Sequence, residues 1–118
     1  MTNFEDRERA AQPEDLGRLF LEQANARDVQ SVAALYEPDA VLASASGDKV
    51  TGRGAIRDLY EVLLAETLQF GGDVRPALNC GDLALTSTRF PSGATANIAR
   101  RQSDGTWLWV ADQPYVTG

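Results

Sequence analysis

Residues 94–113 read ATANIARRQSDGTWLWVADQ, and how this stretch is read decides the fold. Positions 94–102 can alternate as a strand, Ser103-Asp104-Gly105 supplies a turn, and 106–113 return rich in aromatic and β-branched side chains. Two long antiparallel strands are predicted. Asp-Gly reaches positive φ at low cost, so a two-residue Asp104-Gly105 loop sets the register, and the register sets the faces. In that register Trp107, Trp109 and Ala111 share one face, while Leu108, Val110 and Asp112 share the other. A carboxylate then stands in line with two aliphatic residues, which makes Asp112 the candidate catalytic or anchoring group.

The chain has 118 residues, which predicts a single domain over 1–118, with 1–12 as a charged, frayed lead-in. Its 43% hydrophobic and 24% charged content is that of a soluble globular protein. No apolar run approaches the roughly 20 residues that span a bilayer. Seventeen acidic against eleven basic residues give a net charge of −6, which repels a phosphate backbone and an anionic membrane surface alike. Neither nucleic acid nor membrane is expected as a partner.

The start MTNFEDRERAAQ has no apolar segment of the secretory kind, and the single Cys80 has no internal disulfide partner. A cytoplasmic location is expected, with Cys80 a small packing residue. The sequence contains no histidine, which removes Ser-His-Asp and Cys-His catalysis, histidine metal sites and histidine proton shuttles. No Walker-type, GxGxxG or CxxC motif is present, so neither metal nor cofactor is expected. Acid–base chemistry is left to carboxylates, tyrosines, the lysine or the thiol.

Upstream, Pro13 suits a helix's first turn, and Leu16, Leu19, Phe20, Gln23 and Ala24 form one stripe, predicting a helix over 13–27. Asp28 caps a second helix over 29–36, ended by Pro38. Residues 40–44 and 49–51 read as short strands about a Gly47-Asp48 turn. A third helix over 55–66 places Ile56, Leu59, Tyr60 and Leu63 on one face. Strands are predicted over 67–79, 83–90 and 94–102 before the return strand, with Gly71-Gly72 a bulge or bend. The order is α+β: helices packed on one face of a curved antiparallel sheet.

Asn25-Ala26-Arg27-Asp28, the run from Tyr36 to Val41, the run from Thr51 to Ile56, and residues 100–112 resemble the nuclear transport factor 2-like superfamily, in its SnoaL-like and ketosteroid isomerase-like group. The resemblance covers residues 13–114 and implies a cystatin-like α+β cone. It puts Ser44 at the isomerase's base, Phe20 at its oxyanion-donating tyrosine, Asn97 at its second donor, and Tyr36 and Tyr60 at the supporting tyrosines. With neither base nor first donor kept, ketosteroid isomerase activity is not expected. The superfamily carries enzymes, binding proteins and assembly domains on one scaffold.

Phe20, Tyr36 and Tyr60 either fill a core or line a cavity between helices and sheet. Strand alternation aims Thr86, Thr88, Asn97 and Asp112 at the same concave face as Val110. Polar groups converging on an apolar region favour a cavity. Trp107 and Trp109 fall on the opposite, convex face with Leu83 and Leu85; the resemblance implies that this face forms a dimer contact, and two tryptophans with two leucines suit that use, so a homodimer is expected. Arg53, between two glycines, either pairs with a carboxylate such as Asp39, is solvated, or holds an anion. Two functional readings remain open. One is a homodimeric pocket protein that binds or transforms a small, mostly apolar molecule; if an enzyme, it is a cofactor-independent isomerase, cyclase, dehydratase or hydrolase. The other is a non-catalytic association module with a vestigial pocket.

Overall fold

A computed structural model describes residues 7–116. The first helix, α1 (Asp15–Asn25), buries the Leu16, Leu19 and Ala24 stripe, and Asp15 reaches back to accept from the Gln12 amide at 3.0 Å, satisfying a donor before the first turn. Asp28 caps α2 (Val29–Ala33), accepting from the Ser31 amide at 3.1 Å. α2 is shorter than the periodicity suggests. The chain turns into β1 (Tyr36–Ala43) because the sheet captures it: the Trp109 amide donates to the Leu35 carbonyl at 2.8 Å.

Pro38 is therefore a strand residue instead of a helix stop. It is tolerated because the ladder to the last strand skips from Tyr36 to Val41, leaving no backbone N–H required between them. β2 (Lys49–Thr51) follows, then α3 (Arg53–Glu66), which buries Ile56, Tyr60 and Leu64. The long strand expected over 67–79 survives only as β3 (Asp73–Val74) and β4 (Leu78–Cys80), with a loop through Gly71-Gly72. The single strand expected over 83–90 divides into β5 (Leu83–Thr86) and β6 (Thr88–Phe90). β7 (Gly93–Arg101) and β8 (Trp107–Val116) complete the chain.

The main path of the eight-stranded sheet runs β2-β1-β8-β7-β5-β4, with β6 also on β7 and β3 on β6. Helices pack on its concave side, giving the expected α+β architecture. The β1–β8 pair is parallel, so the sheet is mixed and not wholly antiparallel.

Two irregularities in the β7–β8 hairpin correct the expected faces. The turn closes on Arg101 opposite Trp107, with the Gln102 amide on the Thr106 carbonyl at 2.6 Å; it is a three-residue loop with Gly105 at φ 86°, not a two-residue one. Farther along, Ala99 pairs with Trp109 while the adjacent Ile98 pairs with Ala111. Val110 is the extra residue of a β-bulge, and beyond it the alternation of β8 is inverted. Trp107, Trp109 and Asp112 all turn to the helical side and are buried.

The expected exposure of Trp107 and Trp109 on the convex face is thus overturned, and neither belongs to an outward surface. Trp107 is also covered by the N-terminal segment, where its amide donates to the Ala10 carbonyl at 3.0 Å and Ala10 is buried. Residues 7–12 of the expected frayed lead-in are docked on the sheet, and its earlier part lies outside the described residues. Leu83 and Leu85 do face outward. Leu85 stands in register between Leu78 and Ile98, and Ile98 faces Ala111, so an apolar row crosses β4, β5, β7 and β8. Cys80, expected to pack inside, is exposed on β4.

Candidate functional site

A cavity of about 1080 Å³ opens between the helices and the concave face of the sheet, near the upper end of the usual range for small-molecule sites. Exposed Gly47, Gly71, Pro91 and Tyr115 rim its mouth. α1 lends Gly17 and Phe20, α3 lends Leu59, Tyr60 and Leu63, and the loop after α3 lends Phe70. The Phe20 ring packs edge-on against Tyr60 and Phe70, with centroids 5.6 and 5.8 Å away, and is tilted against Trp109 at 6.3 Å. These contacts make one aromatic wall.

The loop carrying Phe70 has no ladder of its own at this point, and a side chain supplies the missing partner. Asn25, at the end of α1, donates to the Phe70 carbonyl at 2.8 Å and accepts from its amide at 2.7 Å. The Arg27 guanidinium donates to the Leu68 carbonyl at 2.5 Å and lies over the Phe70 ring. The Asn25-Ala26-Arg27 segment thereby fixes the wall's position.

The polar floor is one connected network. Asp112 accepts from the Tyr36 hydroxyl at one carboxylate oxygen and from the Asn97 side-chain amide at the other, each at 2.5 Å. Tyr36 and Tyr60 share a hydrogen bond of 3.0 Å. The Asn97 carbonyl oxygen accepts from Thr86 at 2.9 Å and Thr95 at 3.1 Å. Thr86 in turn accepts from the Trp109 indole N–H at 3.0 Å. With both threonines on its oxygen, the Asn97 amide is held so that its nitrogen faces Asp112.

Burial dominates the electrostatics. Asp112 is 7% exposed, and desolvation pushes its carboxyl up to about 6, against the lowering pull of hydrogen bonds from Tyr36 and Asn97. Tyr36 is raised well above its ordinary range, by burial first and by the charge of Asp112 second. Tyr60 is raised for the same two reasons in the same order. Neither phenol ionises at neutral pH, whereas Asp112 changes charge close to it. A carboxylate so placed can accept a proton and return it.

Phe20, Ser44, Tyr60, Thr88, Asn97 and Asp112 all line this cavity. Tyr36 and Thr86 stand behind the wall and act on it through hydrogen bonds. Val110 is displaced by the bulge and does not line it. The sequence reading missed Trp109, Phe70, Phe90 and Thr95. Thr95, two positions before Asn97 on β7, was within reach of strand alternation; Trp109 was lost with the bulge. Ser44 offers a hydroxyl bonded to Ser46 at 2.9 Å, and Phe20 offers no donor, so neither isomerase role expected from the resemblance has its functional group here. Arg53 lies away from the cavity and donates to the Tyr36 carbonyl at 2.9 and 2.5 Å instead of pairing with Asp39. Among the described residues no cluster of His, Cys, Asp and Glu suited to a metal ion occurs, and no helix is long and apolar enough to cross a membrane.

Comparison with known proteins places this geometry. No curated protein matches the sequence. Among solved structures, a candidate calcium/calmodulin-dependent protein kinase type II association domain from Thiobacillus denitrificans superposes with a TM-score of 0.72 at 17% identity, over 92% of this chain and 99% of that one. A candidate dehydratase of the NTF2-like family from Streptomyces avermitilis gives 0.71 at 16%, over 90% and 95%. A ketosteroid isomerase-like protein from Erwinia carotovora atroseptica gives 0.68 at 18%, over 85% and 89%. At these identities the likeness is one of fold. The SnoaL-like domain model, however, matches residues 18–113, and with the cone, the cavity and these neighbours it establishes that the chain belongs to the SnoaL-like domain family of the NTF2-like superfamily.

Proposed function

We propose that the protein binds or transforms a small, mostly apolar molecule in this cavity, with Asp112 as the group that exchanges a proton with the ligand or anchors it. The observation that carries the reading is a buried carboxylate, raised to about 6, at the floor of an aromatic cavity that opens to solvent. A purely structural Asp112 would be expected against a cation, where its carboxyl would fall below the ordinary value, or sealed in a closed core with no opening to solvent. The chemistry that fits is general acid–base work without a cofactor, as in an isomerisation, cyclisation, dehydration or hydrolysis. Ketosteroid isomerase activity is not part of the proposal, because Ser44 and Phe20 lack the base and the donor.

The working unit is proposed to be a homodimer formed through the outward row of Leu78, Leu85 and Ile98 with Leu83 beside it. A second reading, an association module, draws on the same exposed row and on the neighbour named as a kinase association domain. It leaves the open cavity without a use. We place it in the cytoplasm, and the net charge of −6 argues against nucleic acid or an anionic membrane as its partner.

The test is a screen of neutral fused-ring compounds by tryptophan emission and amide chemical shifts, on the wild type and on Asp112→Asn. Ligands that bind below millimolar, shift Phe20, Tyr60 and Asn97, and weaken or lose turnover in Asp112→Asn support the reading. A screen without hits, or with hits confined to the outward face, contradicts it.

A further inference from the structure

Which hydrogens face the cavity follows from the charge of Asp112. An ionised carboxylate can only accept, so the Tyr36 hydroxyl hydrogen points to Asp112. The Tyr36 oxygen must then be the acceptor of the 3.0 Å bond with Tyr60, and the Tyr60 hydroxyl hydrogen points to Tyr36. Tyr60 lines the cavity, yet its one donor is turned away from it. One Asn97 amide hydrogen is likewise committed to Asp112. What the floor offers a ligand is chiefly lone pairs, those left on Asp112 and on the Tyr60 oxygen, with the second Asn97 amide hydrogen as its one donor.

The rest of the lining adds neutral polar groups only, the hydroxyls of Ser44 and Thr88 and the amides of Gln69 and Gln113. Asp112, Tyr60 and Tyr115 are the ionisable residues of the whole lining, and it contains no lysine or arginine. The titratable groups facing Asp112 are Tyr36 from β1 and Tyr60 from α3, both neutral; β7 presents Asn97. An anionic ligand would meet an uncompensated carboxylate in an apolar surround, a costly juxtaposition. A bare carbonyl would find the phenols already committed, could use only the second Asn97 amide hydrogen, and would bring Asp112 no donor.

Resting on the pocket reading above, we propose that the cavity selects a neutral ligand through a hydrogen-bond donor, above all a hydroxyl, presented to Asp112. A hydroxyl fits better than an N–H alone, because it can also accept the second Asn97 amide hydrogen, for which no partner is present among the described residues. The site is thus the reverse of an oxyanion hole: it receives a donor at its floor. The reactive event it suits is withdrawal of a hydroxyl or enol proton by Asp112, which leaves the ligand oxygen with the electron pair and the carboxyl carrying the proton until it is returned.

Matched naphthalenes separate the possibilities. 2-Naphthol, 2-methoxynaphthalene and 2-naphthoate are titrated into the full chain at pH 8, where Asp112 is ionised, with tryptophan emission and amide shifts of the cavity residues as readouts. The naphthol should bind at least tenfold tighter than the methyl ether, the worth of one hydrogen bond to a charged acceptor, and the naphthoate weakest. Asp112→Asn should erase the preference. Tyr36→Phe cuts the chain and frees the Tyr60 hydrogen, so it should raise the affinity for 2-acetonaphthone, which accepts but does not donate. Equal binding of ether and naphthol, or naphthoate binding tightest, overturns the donor preference while leaving the pocket reading intact. Binding of none at millimolar concentration overturns the pocket reading, and this inference with it.

Discussion

Trp109 and Asp112 face the same cavity although strict alternation along β8 would put them on opposite sides, because Val110 is bulged out between them. The bulge converts one strand into both an aromatic wall and a polar floor. It also joins them: the Trp109 indole holds Thr86, Thr86 holds Asn97, and Asn97 holds Asp112. A tryptophan at the far end of this relay is a positioning residue for the carboxylate.

Trp109→Phe keeps an aromatic ring in the wall but removes the N–H together with part of the buried bicycle. Thr86, 5% exposed, then loses a donor within a buried network. The expected loss of stability is about 1–3 kcal/mol, read from urea unfolding, together with a shift in the Asn97 side-chain amide resonances. Unchanged amide resonances would show that the relay does not transmit.

Stability against pH follows from the sign of the Asp112 shift. Its folded value, about 6, lies above the unfolded value of about 3.9. Its favourable contribution is therefore complete below about 3.9, declines as pH rises through the interval, and is gone above about 6. Relative to Asp112→Asn, the wild type should gain about 2 kcal/mol between pH 8 and pH 4, most of the limit set by two pKa units at 1.36 kcal/mol each. Urea unfolding of both proteins across that range is the check, and parallel stability curves would contradict it.

The outward apolar row makes a separate prediction. Leu85 and Ile98 are 50% and 44% exposed in the single chain, and replacing both with aspartate touches neither the core nor the cavity. A homodimer through this face should become a monomer with the same circular dichroism and the same ligand affinity. Sedimentation velocity decides it, and a wild-type monomer at micromolar concentration would remove the dimer.

The parts of the fold written in local chemistry were legible in the sequence. Asp28 announced its cap, Leu16 and Leu19 their helical stripe, and Asp104-Gly105 the hairpin. Asp112 was legible as a candidate for its oddity alone, and Asn97, Tyr60 and Phe20 through the resemblance. The faces of β8 were not, since a bulge at Val110 leaves no mark: valine is as much at home in a regular strand. Nor was the capture of Tyr36 into the sheet, because that is decided by the distant Trp109 amide and by Arg53 holding the Tyr36 carbonyl, against a local pattern that favoured helix. The wall at Phe70 depends on Asn25 bridging to a loop far along the chain, which no periodicity records.

The central claim is that Asp112 is a desolvated carboxylate facing a cavity and not a charge neutralised in a structural network. Carbonyl-carbon NMR titration of Asp112 tests it directly, with Tyr36→Phe measured alongside. The account predicts a midpoint near 6 in the wild type and a higher one in Tyr36→Phe, since the lost hydroxyl lowered it. A wild-type midpoint below about 3.9 would contradict it.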